Sequence, residues 1–147
     1  MLKLEPIPEV GKEYNFFDDG KISPSRHHKA KVLRVVPFDE EVIVNRFDYD
    51  LNQLVPTTLQ SIHKEAVDNH RQGEYVTILN VGAGTLSGDP WLYAEETDYF
   101  IECSIPGYDD NNIWFARTVD GGWFSLDIQS SWQAGRLDAD NSIKLTW

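Results

Sequence analysis

The chain is short of sulfur, of positive charge and of long apolar runs, and each shortage closes off a class of function. Cys103 is the one cysteine in 147 residues. It cannot form an intramolecular disulfide, so nothing asks for an oxidising compartment, and zinc sites built on cysteine pairs have no thiols to draw on. Lysine and arginine number 13 against 24 acidic side chains, a formal charge of −11. Nucleic acids and anionic membranes are bound by neutralising cations, so both are disfavoured as ligands. No apolar stretch approaches the ~20 residues of a membrane helix. The start, from Met1 to Glu9, has no signal-peptide core. A cytoplasmic location is the expectation.

What remains is the composition of an ordinary folded protein. Hydrophobic residues make up 41% and charged residues 25%, unlike a disordered chain. One domain over 1–147 is long enough to bury a core of its own. All five tryptophans (Trp91, Trp114, Trp123, Trp132 and Trp147) lie beyond residue 90, and aromatic density of that kind favours sheet.

Short β-rich runs recur along the chain. Lys12 to Phe17 reads as an aromatic strand before a turn at Asp19-Gly20, and Lys29 to Val36 as a strand that Pro37 stops or places at an edge. Val42-Ile43-Val44, Tyr75 to Leu79 and Trp91 to Tyr93 are further candidates. Tyr99 to Ile105 alternates with period two, which sets Tyr99, Ile101, Cys103 and Ile105 on one face. The tail has a turn near Asp138 to Asn141 and a possible last strand, Ile143 to Thr146. A single helix is predicted over about 57–72. Thr57 and Gln60 have capping-box spacing, Leu59, Ile62, Ala66 and Val67 form an apolar stripe, and Gly73 supplies a stop. Together these point to an α+β fold, mainly antiparallel β, with a small curled or barrel-like sheet and one inserted helix.

The strongest local signal is a hairpin from Ile113 to Ile128 around Asp120-Gly121-Gly122. A two-residue turn there pairs residues of opposite parity. One face would then hold Ile113, Phe115, Val119, Phe124, Leu126 and Ile128, and the other Trp114, Ala116, Thr118, Trp123, Ser125 and Asp127. The two indoles on the more polar face either form a binding platform or lie beneath a second layer such as the helix. Trp114, Trp123 and Trp132 are the candidate binding residues.

Catalytic and metal constellations are not legible. Asn80-Val81-Gly82-Ala83-Gly84 resembles the glycine-rich loop of S-adenosylmethionine-dependent methyltransferases, yet Leu86 replaces the third glycine and Asp89-Pro90 breaks the chain where the helix should run. His63 and His70 share a helix face and are read as surface residues at the edge of the packed stripe, with no cysteine pair or close carboxylate cluster to make a metal site. Cys103, on an apolar strand face, is read as a structural thiol. Adjacent acids (Asp18-Asp19, Glu40-Glu41, Glu95-Glu96, Asp109-Asp110) mostly fall at turns and are read as solvated. No cofactor or catalytic residue is assigned.

The early Phe-Phe-Asp-Asp-Gly-Lys-Ile and late Thr-Val-Asp-Gly-Gly-Trp-Phe-Ser-Leu segments resemble uncharacterised small proteins of gut Bacteroides-type bacteria and their mobile elements. That resemblance implies no activity and no functional residues. The leading expectation is a cytoplasmic protein-interaction domain that meets a basic protein through an acidic surface and the aromatic hairpin face. A small-molecule or carbohydrate-binding module is the alternative, and an enzyme a further one.

Overall fold

The computed structural model describes residues 4–18, 27–48, 50–71, 80–81, 84–85, 93–105, 112–119, 121–126 and 135–140. In chain order the elements are β1 (Glu13–Asp18), β2 (His27–Pro37), β3 (Ile43–Asp48), β4 (Gln53–Thr58), α1 (Leu59–Arg71), β5 (Asn80–Val81), β6 (Gly84–Thr85), β7 (Tyr99–Ser104), β8 (Ile113–Arg117), β9 (Trp123–Ser125) and β10 (Gly135–Asp138). Six of the strands close into an antiparallel barrel in the order β1-β10-β9-β8-β7-β2. The expected α+β class, with a barrel-like antiparallel sheet and one helix among the described residues, is what the chain adopts.

Closure divides the strand residues into an inside and an outside set, because successive side chains of a strand point to opposite faces. The interior cluster holds Phe16, Ala30, Val32, Ile101, Cys103, Ile105, Ile113, Phe115, Trp123, Leu137 and Ala139. The alternation expected in β7 is therefore present, with Ile101, Cys103 and Ile105 inward and Tyr99 packed against them. In β2 the register against β7 shifts between Val32 and Arg34. This bulge lets an even-numbered inward set, Ala30 and Val32, change to the odd-numbered Val35.

The β8–β9 hairpin corrects the sequence reading. Its partners are Phe115↔Ser125, Ala116↔Phe124 and Arg117↔Trp123, so residues of the same parity oppose one another. The turn is one residue longer than expected. The Gly121 amide donates to the Thr118 carbonyl and the Thr118 amide to the Gly122 carbonyl, while Gly121 takes a φ of 91°. A turn closed by a left-handed glycine of this kind makes a three-residue loop. The shift of one residue moves all of β9 to the opposite face. Trp123 and Ser125 thereby face the same side as Phe115, and Phe124 joins Trp114 and Ala116 outside.

That outer face is covered by α1. Leu59, Ile62 and Val67 of the helix pack with Val36, Val42, Tyr93, Phe100, Trp114, Ala116, Phe124 and Leu126, with Ala66 at the margin. The apolar stripe is thus the predicted one. The cap sits one residue later than expected: Thr58 Oγ1 accepts from the Ser61 amide at 3.1 Å. Gln60 instead donates to the carbonyls of Phe38 and Glu40, both at 2.8 Å, tying the helix start to the β2–β3 turn.

β3 and β4 form a separate two-stranded ribbon in register from Ile43↔Thr58 to Asp48↔Gln53. β4 and β10 were not anticipated; the latter occupies part of the expected tail turn and pairs with both β1 and β9. β5 and β6 pair as Asn80↔Thr85 and Val81↔Gly84, so the glycine-rich motif runs into a short ladder at the position where a nucleotide loop would open a helix. Tyr93 makes an isolated bridge to Thr118. The expected strands at 75–79 and 143–146, with Trp132, lie outside the described residues.

Replacing Gly121 by alanine forces an L side chain into the left-handed region. The expected loss is about 1–2 kcal/mol of unfolding free energy, read as a lower urea midpoint at unchanged slope. A Gly121→Asn variant should recover part of it.

Candidate functional site

Three features bear on function: the indoles, a set of buried polar groups, and the outer surface of the ribbon.

The tryptophans of the hairpin do not form an exposed platform. Trp123 is 0% exposed within the barrel. Its indole N–H donates to the Pro6 carbonyl at 3.2 Å, and the Arg117 guanidinium stands 4.0 Å from its ring centroid. Trp114, at 4% exposure, lies in the helix-covered layer. Arg34 stands 5.0 Å from its ring centroid while pairing with Glu102 at 2.9 Å. A sugar or base has no ring face of Trp114 or Trp123 on which to stack. The expected platform is corrected to two structural indoles, one in each apolar layer. Trp132 is not among the described residues.

Buried charge gathers around the β8–β9 turn. Arg117 grips Asp98 through Nε and Nη2, at 3.1 and 3.3 Å, and donates from Nη1 to the Gly121 carbonyl at 2.6 Å. Arg136 donates to Glu5 Oε2 at 2.8 Å, with both side chains nearly sealed from solvent. Gly122 leaves room for this pair, since a Cβ there would overlap the guanidinium and the Glu5 carboxylate. The Glu5 amide also donates to the Gly121 carbonyl, so the segment before β1 is held against the turn. Burial pushes the Glu5 carboxyl above its usual value; Arg136 opposes the rise and Asp140 adds to it.

Asp138 and Asp140 bring carboxylate oxygens within 4.8 Å of Glu5, a group of three that has the donors for a cation. Both Glu5 oxygens are already engaged, Oε2 by Arg136 and Oε1 by the Ala139 amide at 3.4 Å. A cation there would compete with the arginine for the Glu5 carboxylate. The arrangement is better accounted for as a compensated buried charge that fixes the leading segment.

His63 is buried at 1% exposure, in the middle of the helix stripe and away from its expected place at the edge. Phe38, Phe100 and Tyr93 meet its ring nearly edge-on, at centroid distances of 5.4, 6.0 and 6.3 Å. Its Nε2 lies 2.9 Å from the Ala94 carbonyl, which the neutral imidazole satisfies as a donor. Burial lowers its pKa, against a smaller opposing pull from that carbonyl. Helical spacing carries the signal for this position: 59, 62, 63, 66 and 67 fall on one face, and only the polarity of histidine argued against including 63. The His70 side chain is outside the described set. Cys103, buried in the barrel, has its thiol pushed up to about 12 by burial, with Glu102 adding to the effect, so it is no nucleophile at neutral pH.

The ribbon presents a different kind of surface. Its strand register puts Ile43, Asn45, Phe47, Leu54, Pro56 and Thr58 on one face. Ile43 is 60% and Leu54 52% exposed, and Leu51 at the tip is 59% exposed. On the opposite face Val44 packs against the helix layer and Arg46 pairs with Glu65 of α1 at 2.9 Å. Among the described residues no helix is long and apolar enough to cross a membrane.

The chain matches no protein-family model, no curated protein and no solved structure.

Two measurements check the buried groups. Arg136→Ala leaves Glu5 buried without its partner and is expected to cost about 3–5 kcal/mol. Arg46→Ala, at an exposed pair, is expected to cost less than about 1 kcal/mol; urea titrations of the two variants give the comparison. For His63 the native pKa lies below the ordinary 6.5, so the unfolded chain takes up the proton first. Its contribution is present above pH 6.5 and is lost as the pH falls through the lowered native value. The wild type should lose up to about 1.4 kcal/mol per pH unit from this group in that window. A His63→Asn variant should be less stable at pH 7.5 and should lack this component of the slope.

Proposed function

We propose that the chain is a cytoplasmic protein-interaction domain whose partner is a basic protein, in a bacterial cell as the sequence resemblance implies. The disposition of charge carries this reading. Four arginines among the described residues are turned inward or onto neighbouring acids: Arg117 and Arg136 are buried in ion pairs, and Arg34 and Arg46 lie against Glu102 and Glu65. Asp39, Glu40, Glu41 and Asp50 are exposed and take part in no ion pair among the described residues. Each pair cancels one acid against one base, so the formal charge of −11 belongs to the side chains outside these pairs. Lys29, Lys31 and Lys64 are the exposed lysines among the described residues that join none of them. An acidic surface of this kind steers and orients a cationic partner, and its effect falls as salt rises.

The test is affinity capture on the immobilised protein from lysate of the encoding organism, followed by reconstitution with the purified captured protein. The expected partner carries net positive charge, and its Kd should weaken by about ten-fold or more between roughly 50 and 500 mM salt. Partners without excess positive charge, or a Kd indifferent to salt, would overturn the reading.

A further inference from the structure

We infer that the outer face of the β3–β4 ribbon is where the partner docks, and that the docking segment is apolar at its centre and cationic at both ends. This rests on the reading of the chain as a binder of basic proteins and adds a place and a pattern to it.

The ribbon face carries no charged side chain along its length, yet Ile43 and Leu54 are more than half exposed on it. Pro56, on the same face, is exposed as well. An uncharged strip with Ile43, Leu54 and Pro56 exposed, broken by Asn45 and Thr58, is a costly feature on an otherwise acidic protein unless something covers it. The opposite face already packs on α1 through Val44 and Arg46, so the strip is not a core surface awaiting the helix.

Charge identifies the occupant. Asp39, Glu40 and Glu41 precede the base of the ribbon and the exposed Asp50 lies at its tip, while Asp48 belongs by register to the opposite face and braces the turn. Asp48 Oδ1 accepts from the amides of Asp50 and Leu51, at 2.9 and 3.1 Å, which holds the acidic tip beside the exposed Leu51. Six residues of strand span about 20 Å. The strip is thus an uncharged, mainly apolar bar of that length with carboxylates near each end. A second copy of the chain is a poor occupant. Pairing two bars in parallel sets tip acids on tip acids, and pairing them antiparallel sets tip acids on base acids. Either way like charges meet. Nucleic acid is repelled for the same reason. A segment with apolar residues in the middle and lysine or arginine beyond them satisfies the bar and both ends.

The probe is a synthetic peptide of roughly ten residues, long enough to span the ribbon, with lysines at both ends and alternating valine and threonine between. Two controls accompany it: one with serine for valine, and one with serine for lysine. Backbone amide shifts of the full chain are followed by NMR. The expected result is saturable shifts concentrated in 43–58. Binding should be about ten-fold weaker for either control, and about ten-fold weaker for an Ile43→Ser/Leu54→Ser variant whose dispersed spectrum shows that it is folded. Equal binding of the lysine peptide with and without valine, or shifts lying elsewhere, would overturn the ribbon assignment and leave the basic-partner reading standing. Binding by the lysine-free control as strong as by the probe, or no binding by any peptide, would count against both. Shifts in 43–58 that grow with protein concentration alone would show that a second copy is the occupant, and would also overturn the inference.

Discussion

The backbone turn at Thr118–Gly122 sets the register on which both apolar layers depend. With Gly121 at a φ of 91°, the loop between β8 and β9 holds three residues and Trp123 falls opposite Arg117. A loop shorter by one would turn the indole outward and drive Phe124 into the barrel, where Phe16, Phe115 and Leu137 already meet. It would also remove Phe124 from the helix side, where it packs edge-on with Tyr93 at 6.2 Å. The next residue is constrained differently. Gly122 adopts its place because the Arg136–Glu5 pair occupies the volume a side chain would need. One glycine thus supplies a conformation and its neighbour supplies space.

Around this turn the molecule holds buried charge at considerable desolvation cost. Arg117 offsets that cost with Asp98, a backbone carbonyl and the face of Trp123. Arg136 does so with Glu5, which ties the segment ahead of β1 to the far end of the chain. These contacts join residues 5, 117 and 136 in a way that neither strand pairing nor apolar packing requires. They specify where the leading segment lies. They also withdraw two cations from the surface of a chain that has few.

The ribbon follows a different logic from the barrel. Its inner face is fastened to α1 by Val44 and by the Arg46–Glu65 pair, and Gln60 links the helix start to the turn before β3. Its outer face is pleated, uncharged and mainly apolar, with carboxylates near its ends. In the docking proposed for it, such a surface would discriminate by charge at its ends and gain affinity from burial at its centre. The barrel then serves as the support that holds the ribbon and helix in fixed relation.

The residues alone determined the class and several elements. Period-two alternation through Tyr99 to Ile105 placed its inward face correctly, and the stripe at Leu59, Ile62, Ala66 and Val67 located the helix. Such patterns are legible because a single element's burial repeats with its own geometry. The β8–β9 register was not legible: Asp120-Gly121-Gly122 is compatible with loops of two or three residues, and packing on both sides of the sheet decided between them. Nor were β4, with its proline and two threonines, or the four-residue β10, both too short or too polar to declare themselves before their partners are known. His63 reads as a surface residue in the linear sequence and Glu5 gives no sign of burial there; the Ala94 carbonyl for one, and the Arg136 guanidinium with the Ala139 amide for the other, make their burial tolerable. Charge balance and local periodicity are properties of the chain; which side chains end up sealed, and which apolar face is left exposed, is settled by the company each strand keeps once the barrel has closed.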